Sequence, residues 1–317
     1  MPRSLLAALI AAVIVTVAGP VRAHALQITG LQHPDSFVAD LAGAQYFISN
    51  VNGDAEARDN NGFISKLDKT GAVVHLHFVQ GGVGDTTLHA PKGMTVIGET
   101  LYVADLDAVR GFHTGSGRAI VTVPVHGELA GVAHDGHGLL YVSEPGGNTI
   151  YRIDTAHGHA VSVVAHDTAL AGPRGLAVHP TTGHIIAVSW DKGKILDVTP
   201  NGPIVELVSN SFFSSRFGHL RGVDFDSWGN MYVSDFTAGK IWRMAPDRQF
   251  KVIAEFLPAP AGIGVDREKH LILVPYAADN VAEMNGLESP VKQNKQKRTL
   301  KDYGFEGMKP VPKREDK

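Results

Sequence analysis

Three basic side chains share one recurring place in this sequence. Lys92, Arg174 and Arg221 each precede a glycine that an apolar residue follows, in Pro91-Lys92-Gly93-Met94, Pro173-Arg174-Gly175-Leu176 and Leu220-Arg221-Gly222-Val223. Asp35, in Pro34-Asp35-Ser36-Phe37, holds the corresponding place early in the chain. Three cations and one carboxylate brought to one spot favour a small anion, such as a carboxylate, phosphate or sugar acid gripped by forked guanidinium donors. A second recurring position carries Asn50, Asp105, Glu144 and Asp235. Pairing of the cations with these acids is the alternative use of both sets, as is Asx-type capping of the turn that follows each acid. Arg110 and Asp59 stand as outer contributors to the same region.

Oxygen side chains also raise the question of a hard divalent cation such as Ca²⁺. The candidates are Asp35, Asn50, Asp59, Asp105 and Asp235, with Asp59 in the long polar excursion Asn50-Val-Asn-Gly-Asp54-Ala-Glu56-Ala-Arg-Asp59-Asn-Asn-Gly62. That excursion does not have EF-hand spacing, and its expected place is over the site as a lid. The chain has 16 His and no Cys, so thiolate metal sites, disulfides and Cys nucleophiles are excluded. His33, His89 and His219 precede the recurring motifs and can approach the same region. No H-E-x-x-H, G-x-S-x-G, Walker or dinucleotide-binding pattern occurs.

The elements that position these residues are repeats. The glycine recurs at 93, 131, 175, 222 and 262, and Ser36 takes its place in a weaker first copy. Each copy continues with an alternating strand, such as Leu101-Tyr-Val-Ala-Asp105, Leu140-Tyr-Val-Ser-Glu144 or Met231-Tyr-Val-Ser-Asp235. A third strand follows (Thr149–Ile153, Lys240–Met244), then a fourth (Ala160–Val164, Lys251–Ala254). Four strands in roughly 40 to 45 residues is the period of a propeller blade. Six copies predict an all-β, six-bladed β-propeller with four-stranded blades. The last copy runs out of strands near Met284, and Leu26-Gln-Ile-Thr-Gly30 is predicted to supply its outer strand, closing the ring without an open sheet edge. In this arrangement the residues before the glycines ring the mouth of the central channel, and the ends of the second strands form a neighbouring ring. That face is the expected binding site.

The P-x-G start, the [LM]-Y-V-[AS]-[DE] second strand and the G-[KN]-I third strand resemble those of the NHL and SMP-30/gluconolactonase group of six-bladed propellers, over roughly residues 26 to 286. For an SMP-30-type lactonase the resemblance implies a divalent cation at the mouth. It would be held by a Glu of the first blade and by an Asn and an Asp that precede later glycines, the Asp serving as base. Here Asp35 stands for the Glu, but the later positions are Arg174 and Arg221, and guanidinium offers no oxygen. The Asn-Asp-Gly loop expected in the third blade is also missing. The first expectation is therefore a propeller that binds an anionic ligand or an extracytoplasmic protein partner. The alternative is a lactonase- or esterase-like hydrolase whose cation has moved to Asp35, Asn50, Asp105 and Asp235, there polarising a carbonyl while a carboxylate activates water.

The N-terminus sets the expected compartment. Arg3, the apolar run Leu5–Ala18 and the small-residue end Ala23-His24-Ala25 read as a secretory signal peptide over residues 1–25. The run is shorter than the roughly twenty residues a membrane span needs. The expectation is a periplasmic or secreted monomer, with a propeller over 26–288 and a basic, disordered tail over 289–317. A formal charge of −3 gives no global basic field for nucleic acid.

Overall fold

The computed structural model describes residues 26–210 and 216–288; residues 1–25, 211–215 and 289–317 lie outside the described residues, and with them the expected signal peptide and basic tail. The chain forms six antiparallel sheets of four strands each, arranged as a six-bladed propeller. Within a blade the inner strand starts at the mouth face, the second strand returns to it, and the third and outer strands repeat the excursion. Blade one runs from Pro34–Asp40 to Val73–Gln80, and blade four from Pro173–Val178 to Ile204–Val208. Second strands are buried along most of their length, and outer strands alternate or face solvent. This burial follows from their position, because a second strand has sheet on either side and neighbouring blades on both faces.

The sixth blade is completed by the other end of the chain. Leu26–Ile28 pairs antiparallel with Val281–Gly286, setting Leu26 opposite Met284 and Ile28 opposite Ala282. Ile28 and Leu31 then join Phe37, Tyr46 and Leu273 in a core shared by blades six and one. Equivalent clusters fill the other blade-to-blade spaces, so the core is a ring of separate apolar wedges.

At the hub, inner strands of adjacent blades meet backbone to backbone. Gly93 N–H donates to Ala130 O at 2.8 Å, and Gly262 N–H donates to Asp35 O at 2.6 Å. A Cβ on Gly131 would overlap the Arg174 carbonyl oxygen, and one on Gly93, Gly175, Gly222 or Gly262 would meet backbone of the next blade. The recurring glycine is therefore a requirement of close approach, not of a turn. This contact also shifts the strands. The repeats predict inner strands that begin before the glycine, yet in blades two, three and six the regular strand begins after it, at Met94, Val132 and Gly264. In blades one, four and five the register slips at the same place.

Gly131→Ala is expected to destabilise the fold by about 3 kcal/mol or more, because the obstructing atom is backbone and cannot swing aside. Thermal unfolding of this variant beside Gly136→Ala, where a Cβ meets nothing, separates close packing from a general glycine effect. Gly136 has φ +79°, so its own smaller cost is the strain of that backbone conformation.

Candidate functional site

The mouth positions are fixed by serines on the second strands. Ser49 Oγ accepts from Ser36 N–H at 2.9 Å and donates to Lys92 O at 2.8 Å. Ser143 Oγ accepts from Gly131 N–H at 2.8 Å and donates to Arg174 O at 2.6 Å. Each hydroxyl thus ties its own blade to the backbone of a cation on the next. All of these serines are buried.

The mouth divides into two electrostatically different halves. Arg221 reaches across the channel to the carboxylate of Asp35, an ion pair on two largely buried groups. Burial lowers the Arg221 guanidinium to about 10, which leaves it a cation at neutral pH. Lys92 and Arg174 have no such partner: among the described residues no carboxylate lies within ion-pairing distance of either. Lys92 is only 5% exposed. Burial first, and the neighbouring Arg174 second, lower its ammonium below the ordinary lysine value; Glu128, Asp105 and Glu56 oppose this from a distance. Arg174 lies 4.5 Å over the Trp190 ring, and its Nε is sealed from solvent without a hydrogen-bond partner.

Both unpaired cations line a cavity of about 330 Å³ beside the mouth, between blades two, three and four. Its walls come from Glu128–Ala130, the Glu144–Asn148 hairpin and Trp190-Asp191. Arg174 and Ala130 also line the central channel, so cavity and channel meet there. Trp190 is itself held by His219, stacked at 4.5 Å, and by Phe236 at 5.5 Å. The channel is also lined by Asp224, which accepts from Arg267 and from Val265 N–H.

The remaining residues singled out in the sequence lie elsewhere. Asp105 does not pair with the mouth cations. It accepts from Arg110 Nε at 2.7 Å and from the amides of His89 and Ala90. Burial alone would raise the Asp105 carboxyl, but Arg110 and these amides outweigh it and hold the group below the ordinary carboxylate value. Arg110 also bridges to Asp107, which Arg58 of the blade-one excursion contacts. That excursion thereby rests on blade two at the mouth. Asp235 caps Gly218 and Ala238 amides, Glu144 caps Gly147, and Asn50 bonds Gln32 N–H, Ile48 O and Ser65. Asp59 bonds Asn61 within its own loop.

The candidate cation ligands Asp35, Asn50, Asp59, Asp105 and Asp235 are thus distributed among separate structural contacts. Among the described residues no three His, Asp or Glu side chains come together. His33, His89 and His219 do not converge either: they contact Gly53 O, Asn60 N–H and Thr237. Phe217, in the connection before blade five, is core, packed edge-on against Trp242 and Phe250. Trp190, Glu128 and Asp191 also line this cavity, and the repeats do not point to them. The available signal was a Trp-Asp pair directly after Ser189, which ends the second strand of blade four.

No protein-family model matches the chain, and no curated protein does. Solved structures do. Virginiamycin B lyase from Staphylococcus aureus is similar at 14% identity and a TM-score of 0.57, over 83% of this chain and 99% of that one. A protein of unknown function from Bacteroides thetaiotaomicron is similar at 14% identity and a TM-score of 0.62, over 80% and 70%. A chain of a nidogen/laminin complex is similar at 17% identity and a TM-score of 0.54, over 72% and 91%. At these identities the likeness is one of fold, the six-bladed propeller.

A buried, unneutralised cation costs stability, so Lys92→Met is expected to raise it by about 1 kcal/mol, or roughly 2–4 °C in melting temperature. The folded lysine holds its proton less tightly than the unfolded one. Stability of the wild type should therefore rise with pH from the lowered lysine value toward the ordinary one. Thermal melts of both proteins across the alkaline range check this: the wild type gains relative to Lys92→Met as the lysine discharges.

Proposed function

We propose that this chain is an exported propeller that binds a small anion in the cavity floored by Lys92 and Arg174. The observation that carries this reading is that two cations face one cavity with no ion pair, one almost fully buried and the other with an orphaned Nε. An incoming carboxylate or phosphate would satisfy both, as charge-assisted hydrogen bonds are strongest where water is excluded. Arg221 is assigned a different role, holding the channel mouth together through Asp35.

A protein partner at the same face is the second reading, and the similarity to a chain of a nidogen/laminin complex is what favours it. The relocated-cation hydrolase draws no support from the side-chain arrangement, in which Asp35, Asp105 and Asp235 already serve other groups. Export belongs to the proposal through the leader-like residues 1–25, and sequencing the N-terminus of the protein recovered outside the cytoplasm tests it. A mature chain beginning near Leu26 is the expected result.

Calorimetric titration with inorganic phosphate, short carboxylates and sugar acids tests the site. The Lys92→Met, Arg174→Gln double variant should lose at least about 100-fold in affinity, the worth of two charge-assisted bonds. Wild-type affinity should fall as pH rises through the lowered Lys92 value. Unchanged affinity in the double variant would remove the proposal.

A further inference from the structure

The cavity carries more than its two cations. Lys92 lies at its buried floor, with Arg174 half-buried beside it, whereas Glu128 and Asp191 are exposed at the rim. Neither rim carboxylate has an ion-pair partner among the described residues. Both act through space on the floor, Glu128 on Lys92 and Arg174 and Asp191 on Arg174, while Glu56 and Asp105, outside the cavity lining, add to them. The third acid, Glu144, is buried and committed to the Gly147 amide at 2.7 Å. The cavity is thus polarised along its depth, positive inside and negative at its opening.

A simple dianion fits this polarity poorly, because its outer charge would sit against two free carboxylates. From the unpaired floor cations and unpaired rim acids together, we infer that the ligand is a zwitterion that enters carboxylate first and leaves a protonated amine between Glu128 and Asp191. This rests on the anion reading above and adds the second half of the ligand. Trp190, already stacked on Arg174, gives the intervening carbon chain an apolar wall.

The test is a calorimetric comparison of two matched series: ω-amino carboxylates of three to six carbons and the plain carboxylates of the same lengths. Inorganic phosphate is titrated alongside. At the best length the amino compound should bind at least about tenfold more tightly than its plain counterpart, the worth of one charge-assisted hydrogen bond. In the Glu128→Gln, Asp191→Asn variant that preference should vanish while plain carboxylate binding holds or strengthens. Both substitutions are on exposed residues, so an unchanged melting temperature certifies the fold. Plain carboxylates that bind as tightly as their amino counterparts would overturn the zwitterion and leave the anion reading standing, as would phosphate binding with neither series active. Silence from all three ligand sets would overturn both.

Discussion

Everything at the mouth of this propeller depends on how closely the inner strands approach one another. Five glycines lie where a side chain would strike the next blade's backbone. Because that approach is backbone against backbone, it fixes the residue before each glycine with little freedom. The buried hydroxyls of Ser49 and Ser143 add a second tie, to the carbonyls of Lys92 and Arg174. The two cations are therefore presented by backbone held from two sides, as a preorganised site requires.

Rigid placement explains how the fold sustains an unfavourable charge. Arg221 sits on an equivalent position and is neutralised by Asp35 across the channel. Lys92 and Arg174 occupy the same ring with no ion pair among the described residues, and the exposed carboxylates of the cavity stand at its rim. Had stability alone shaped this surface, an apolar residue at 92 would serve better. A local violation of packing rules that the surrounding structure holds in place is the usual mark of a functional site. Trp190 fits this account, since it lies against both the Arg174 and Arg221 guanidiniums, at 4.5 and 5.7 Å.

The architecture was legible because its signals are local and repeated. The glycine, the alternating second strand and the missing last strand point to six blades and to Leu26–Ile28 as the closing strand, and both are observed. The ring positions of Lys92, Arg174 and Arg221 were legible for the same reason. Their partners were not. Arg221 and Asp35 lie 186 residues apart, and their meeting depends on where each blade falls around the ring. Glu128, Trp190 and Asp191 are not legible in the repeats because they sit in connections, whose paths the repeat does not encode. Asp105 with Arg110 is local, a pair across one hairpin, and so is legible in principle from the sequence.

The most direct measurement is an NMR titration of the Lys92 side chain, with and without a saturating anion. The account predicts an ammonium that titrates below the ordinary lysine value of about 10.4 in the free protein and moves upward when the anion binds. A lysine that titrates normally, or one that ignores every anion offered, would contradict it.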